Sequence, residues 1–240
     1  MKTQVVIIIL LLTGPRFGFS QAFVNLDFNS ANISSGTEPY SFIPIADAIP
    51  GWTAYFGNNQ QTSVLYDSED IGSVNVSILD ANSLVGGLIP DNDYTVLLQA
   101  GNGGGDGGLP NTTASIAQTG MIPSTAESIE FTASLPDGPP GWQVTINGQP
   151  ISISQIGVVG NSYGVFAGNV AAYAGHVDQL EFTALVNPGV GAEFLWLDDV
   201  AFSASPVPEP NSSGLFALGG LYVAWRHWRK VSPNSSPGER

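Results

Sequence analysis

Across residues 22–203 apolar and polar side chains alternate in short segments, and Gly, Pro, Asn and Asp punctuate the intervals between them. A period of two sets neighbouring side chains on opposite faces of an extended strand. An amphipathic helix needs a sustained period of 3.6 residues, which no stretch here holds. The alternation predicts strands at 22–28, 63–66, 73–79, 94–99, 114–118, 128–134, 142–146, 164–166, 179–186 and 193–203. Strands of this length and spacing pack as two antiparallel sheets. The expectation is therefore an all-β antiparallel β-sandwich built by residues 21–205 as a single domain.

Two details sharpen that expectation. The tetrapeptide Glu-Phe-Thr-Ala occurs at Glu130 and again at Glu181, each inside an alternating run. Ile129, Phe131 and Ala133 share one face, as do Leu180, Phe182 and Ala184, which predicts two similar core strands. On the last strand, strict alternation places Phe194, Trp196, Asp198, Val200 and Phe202 together, with Leu195, Leu197, Asp199 and Ala201 opposite.

The pattern breaks at both ends. Behind Lys2, residues 5–12 are a continuous apolar run followed by small residues at Gly18 and Ser20, the layout of a secretory signal peptide over 1–20. Eight helical residues rise only about 12 Å, well short of the roughly 30 Å hydrocarbon core, so a signal helix removed on export is expected. The expected mature start is Gln21, and a cut after Ala22 also meets the small-residue rule. At the other end, Pro206, Pro208 and Pro210 stiffen the chain before an apolar stretch at 214–225 and a basic cluster of Arg226, Arg229 and Lys230. Twelve residues give about 18 Å of helix, a weak and transient membrane insertion, and the basic cluster places its far end in the cytoplasm. Tyr222, Trp225 and Trp228 suit an interfacial belt.

Val207-Pro208-Glu209-Pro210, the short apolar helix and the basic cluster, together 206–230, resemble the PEP-CTERM sorting signal of Gram-negative exopolysaccharide-producing bacteria. The resemblance implies an exosortase-like membrane transpeptidase as partner, cleaving near Pro-Glu-Pro after a transient inner-membrane stage. The product would reside at the cell surface, in the outer envelope or in the extracellular matrix. A Gly219-Gly220 pair inside the apolar run and a polar tail at 231–240 depart from that pattern.

Charge separates the body from its ends. The chain of 240 residues has a formal net charge of -14 and no Cys, and its six Lys and Arg residues all fall outside 21–205. That interval carries eighteen of the twenty carboxylates, with His176 its single imidazole. Nucleic-acid binding, which neutralises phosphates with cations, is excluded, and adsorption to anionic lipid is disfavoured. Acidic polysaccharide would be repelled at low salt unless divalent cations bridged the two. Without Cys, stability outside the cell rests on the core and not on disulfides.

The middle of the chain also resembles the galactose-binding-like jelly rolls of many carbohydrate-binding modules. The matching pieces are Asn25-Leu26-Asp27-Phe28, Pro50-Gly51-Trp52, residues 94–99, 114–118 and 128–133, Val144-Thr145-Ile146-Asn147-Gly148, and Leu197-Asp198-Asp199-Val200. That resemblance implies a structural calcium between first and last strands, nominating Asp27 and Asp198 as metal ligands with Asp199 in reserve. From the residues alone, Asp198 points where bulky apolar residues point and has no Lys or Arg to pair it. It either caps backbone amides or binds a hard cation through oxygen.

Sugar recognition requires an aromatic face beside directed polar groups. Trp52, Tyr55, Asn58 and Gln60, within the segment GWTAYFGNNQQ read as a loop, are the candidate ligand-binding cluster, with Trp142 and Tyr163 weaker. Six glycines in residues 101–108 predict a mobile connection; the Gly-Lys-Ser/Thr ending of a phosphate loop is missing. No nucleophile and base constellation is present, so no catalytic residue is assigned, although eighteen acids leave a glycosidase-like carboxylate pair conceivable. The sequence thus reads as an exported, surface-sorted, non-catalytic binding or structural module, with polysaccharide as the expected ligand and an inert coat protein as the alternative.

Overall fold

The structure is a computed structural model that describes residues 21–69, 73–81, 83, 93–101, 111–135, 141–187 and 193–207. The expected signal peptide, the glycine-rich segment beyond Gly101, Pro208 to Pro210, the basic cluster and the polar tail lie outside the described residues. The chain forms β1 (Phe42–Pro44), β2 (Thr53–Phe56), β3 (Asn59–Gln60), β4 (Ser63–Tyr66), β5 (Asn75–Leu79), β6 (Thr95–Gln99) and β7 (Ala114–Met121). It continues through β8 (Ser128–Ser134), β9 (Trp142–Ile146), β10 (Gln149–Pro150), β11 (Ile153–Val159), β12 (Tyr163–Asn169), β13 (Val177–Ala184) and β14 (Phe194–Ser203). One helical turn, Ile45–Ala48, and one 3-10 turn, Ala171–Tyr173, are the helical elements among the described residues, none long and apolar enough to cross a membrane.

An eight-stranded sheet, β1-β4-β5-β6-β14-β8-β12-β11, faces a six-stranded sheet, β10-β9-β13-β7-β2-β3, in the all-β sandwich that the alternation predicts. Among the described strand pairs, β4 and β5 run parallel and the others antiparallel. The two Glu-Phe-Thr-Ala strands lie in different sheets. Their rings meet across the interior, Phe131 of β8 against Phe182 of β13, with centroids 5.2 Å apart and planes at 80°. Phe182 continues to Trp52 at 6.3 Å and Trp52 to Phe28 at 5.6 Å, while Phe131 continues to Trp142 at 5.7 Å and to Phe166 at 5.8 Å. This seam of rings joins the sheets along their shared interior, where edge-to-face geometry adds about 0.5–1.5 kcal/mol per pair to area burial.

Three departures from strict alternation have local causes. Residues 22–28 do not form a strand but a run of turns that touches the sheet at an Ala22 to Met121 bridge. Asn25 at φ 51° and Phe28 at φ 56° are left-handed, which an extended ladder cannot accommodate. In place of a ladder, the Gln118 side chain accepts from the Val24 N–H at 2.6 Å and donates to the Val24 carbonyl at 2.9 Å. On β14 a register shift lies between Asp198 and Ala201, with Asp199 at φ 52°. This bulge turns Val200 and Phe202 into the core alongside Leu195 and Leu197, so they do not share a face with Phe194, Trp196 and Asp198 as simple alternation requires. A second register shift, between Gln155 and Gly157, breaks the phase of β11, which the pattern of polar and apolar positions did not mark as a strand.

Acids taken into this cation-free body are held by neutral donors. Asp67, at φ 44° just past β4, accepts the Asp80 backbone N–H at 3.0 Å, and Tyr66 donates its hydroxyl to the Asp80 carboxylate at 2.6 Å. Burial, aided by the nearby Asp80 charge and opposed by these hydrogen bonds, raises the Asp67 pKa above the ordinary carboxylate range. Burial and the hydrogen bond to Asp80 raise the Tyr66 pKa well above its usual value.

Two outcomes are expected. Phe131→Ala removes the ring that meets Phe182, Trp142 and Phe166, and should lower the unfolding free energy by about 3–5 kcal/mol in a urea titration. A loss below about 1 kcal/mol would show that the seam does not hold the sheets together. For Asp67 the folded pKa exceeds the unfolded one, so the native state binds its proton more tightly and stability falls as pH rises through the interval between them. Asp67→Asn should accordingly raise the melting midpoint at pH 7, with the gain fading as pH falls through that interval, below which the carboxyl is protonated in the folded and unfolded chain alike. A gain independent of pH would contradict this assignment.

Candidate functional site

Alternation fixes the outer surface of the six-stranded sheet. Because Leu180, Phe182 and Ala184 of β13 enter the core, Gln179, Glu181 and Thr183 face out. By the same rule Ala54 and Phe56 of β2 face in while Thr53 and Tyr55 face out, and on β7 Ala114 and Ile116 face in while Ser115 and Ala117 face out. The register then sets rows across the sheet. Thr145 of β9 lies opposite Glu181, Glu181 opposite Ala117, and Ala117 opposite Thr53. Tyr55 stands one row along, opposite Ser115.

Ala117 is the small residue in this arrangement. The strands on either side of β7 are about 9–10 Å apart, and with only a methyl group between them the taller side chains leave a groove over Ala117. Its volume is about 250 Å³, and it is lined by Tyr55, Gly57, Asn58, Ala117, Gln179 and Glu181. Gly57 and Asn58 form the turn of the β2 to β3 hairpin, with Gly57 at φ 57°, a conformation that favours glycine. The groove thus offers one phenol ring, two carboxamides and a carboxylate around a nearly flat apolar floor.

Of the residues nominated from sequence, Tyr55 and Asn58 are brought together here. Gln60 is exposed and pairs with Tyr55 across the hairpin, beside the groove and not among its lining residues. Trp52 is withdrawn. It is 4% exposed, packs between Phe28 and Phe182, and donates its indole N–H to the Asn25 carbonyl at 2.9 Å. The segment read as a loop is a hairpin, and strand phase sends Trp52 inward while Tyr55 goes outward. Trp142 and Tyr163, the weaker aromatic candidates, are both buried, and Trp142 belongs to the ring seam. Gln179, Glu181 and Ala117 were not nominated. Alternation over 179–186 already places Gln179 and Glu181 together, but the register that carries them to Tyr55 leaves no trace in the sequence.

The nominated metal ligands stand apart in character. Asp27 is exposed and its carboxylate accepts the Asn29 N–H at 3.2 Å. Asp198 is fully buried and accepts the Thr95 hydroxyl at 3.3 Å and the Asp199 N–H at 2.7 Å. The opening segment and the last strand do adjoin, since Val200 N–H donates to the Leu26 carbonyl at 3.0 Å. Calcium takes six to eight oxygen ligands, however, and among the described residues no group of three or more His, Cys, Asp or Glu could hold a metal. Asp198 is a buried acceptor for donors from its own and the neighbouring strand. Val207 is the one described residue of the nominated sorting motif.

No family model matches the chain, and no curated protein is similar to it in sequence. Two solved structures are similar. The cleaved adhesin domain K1 of Lys-gingipain from Porphyromonas gingivalis W83 aligns at 12% identity with a TM-score of 0.36, over 70% of this chain and 96% of that one. The carbohydrate-binding module TmCBM27, described for specific mannan recognition, aligns at 14% identity with a TM-score of 0.31, over 69% of this chain and 96% of that one. Likeness at that level does not carry a ligand from one protein to another, and what the groove accepts has to be read from its own side chains.

Proposed function

We propose that this chain is an exported, non-catalytic module that binds polysaccharide through the groove on its six-stranded sheet. The observation that carries the reading is the composition of that groove: the Tyr55 ring, the Asn58 and Gln179 amides and the Glu181 carboxylate around Ala117. A pyranose presents an apolar C–H face and a rim of hydroxyls. An aromatic ring takes the first, while amides, which both donate and accept, take the second. Tyr55, Gln179 and Glu181 lie on paired strands and Asn58 in a tight hairpin turn, so these groups are pre-positioned and little ordering is lost on binding. Surface retention through an exosortase-type system, acting on the 206–230 segment, completes the proposal and gives the basic cluster of Arg226, Arg229 and Lys230 a role.

Affinity electrophoresis in gels containing soluble polysaccharides tests the binding site. Tyr55→Ala should lose about tenfold or more in retention while its melting midpoint stays close to that of the parent. Unchanged retention would remove the groove from the reading. Mass spectrometry of the protein isolated from its native cells tests the sorting. The expected product begins at Gln21 and ends near Pro208 to Pro210, and an untrimmed chain of 240 residues would overturn it.

A further inference from the structure

The geometry points to a ligand class for this groove: a neutral polysaccharide with vicinal hydroxyls, with Glu181 as the residue that both grips the diol and excludes uronic acids. The inference rests on the reading of the groove as a glycan site. A carboxylate accepts hydrogen bonds and donates none, so Glu181 is matched to two adjacent sugar hydroxyls and mismatched to a sugar carboxylate. Acidic polymers are ordinarily held by Lys or Arg, and the interval 21–205 contains neither.

A second observation comes from the neighbouring strand. Thr145 lies directly opposite Glu181 in register and on the same face, is 5% exposed, and has a hydroxyl with no hydrogen-bond partner among the described residues. Buried polar groups are nearly always paired, and this oxygen is closed to solvent, so it meets a ligand at Glu181 only once the Thr145 side chain turns outward. The hydroxyl can donate and accept, and a sugar hydroxyl already bound to Glu181 is a partner of the right chemistry. Glu181 and Gln179 thus form the polar wall of the groove, with Thr145 beside Glu181 in register, and Tyr55 on the other side of Ala117 forms the apolar one. Steric closure also follows from this layout, because any side chain larger than methyl at position 117 would occupy the floor.

The test uses the full processed chain, with excess chelator throughout, against galactomannan and mixed-linkage glucan as neutral polymers and alginate and polygalacturonate as acidic ones. Retention is measured at low salt and at about 0.5 M, where repulsion from distant charges is screened and the local effect of Glu181 remains. The parent should be retained by a neutral polymer at both salts and by neither acidic polymer at either. Glu181→Gln should weaken the neutral interaction about tenfold and begin to admit acidic polymer at high salt. Thr145→Val, nearly isosteric, should weaken the neutral interaction about threefold without moving the melting midpoint downward. Ala117→Leu should abolish retention in a folded protein. Retention of alginate by the parent as strong as that of a neutral polymer would overturn the ligand class while leaving the groove a glycan site. Neutral affinity unchanged in Glu181→Gln would overturn its role. Retention by no polymer at all would sink the glycan reading itself.

Discussion

The contact between Phe131 and Phe182 is the interaction on which the rest of the molecule depends. Large side chains tie the two sheets here and at Trp142, which meets Phe131 and Phe166 from the six-stranded sheet, and the ring seam spreads from it toward Phe28 at one end and Phe166 at the other. Strand geometry then couples the core to the surface, because neighbours of an inward residue face out. With Phe182 fixed inside, Glu181 is fixed outside, in line with Ala117 and Thr145. The other copy of the tetrapeptide does the same in the opposite sheet, sending Phe131 in and Glu130 out. The polar wall of the groove is therefore anchored by the hydrophobic core one residue away.

A body with eighteen carboxylates and no Lys or Arg cannot use ion pairs to bring acids inside. It uses neutral donors instead: the Tyr66 hydroxyl and the Asp80 amide at one place, Thr95 and the Asp199 amide at Asp198, and the Asn147 carboxamide at Asp178. Hydrogen bonds to a charged acceptor are worth about 1.5–3 kcal/mol each and offset part of the desolvation cost. The remainder shows at Asp67, where burial still raises the pKa despite its donors. The same imbalance shapes what the surface tolerates. Within 21–205 no Lys or Arg offsets the outward carboxylates, so the body presents acceptors without cationic side chains of its own.

Much of this architecture was legible in the sequence because burial on one face of a strand writes a two-residue period into it. The spans 63–66, 128–134 and 142–146 agree with β4, β8 and β9 as found. The failures are places where backbone conformation breaks the period. At Asn25 and Phe28 left-handed residues turn a hydrophobic run into turns, and at Asp199 a bulge moves Val200 and Phe202 to the opposite face from Asp198. The groove was half visible for a different reason. Tyr55 and Asn58 are neighbours in sequence, whereas Gln179 and Glu181 reach them only through the register of β13 on β7 and of β7 on β2. Register between strands about 60 residues apart is a property of the packed sheets and not of any local pattern.

The phase of β2 shows how narrowly the site is specified. Trp52 and Tyr55 are both aromatic and three residues apart, so on a strand they must face opposite ways, and only one of them can serve a ligand. The choice is made by what can satisfy an indole in the interior. Trp52 finds Phe28 and Phe182 for its ring and the Asn25 carbonyl for its N–H, an acceptor supplied by the very turn that prevents residues 22–28 from pairing as a strand. A slip of one residue would reverse every side chain of β2, placing Tyr55 inside and leaving Trp52 without that acceptor. The left-handed turn at Asn25 and the Tyr55 wall of the groove are in this sense one feature: the first holds Trp52 in, and holding Trp52 in keeps Tyr55 out.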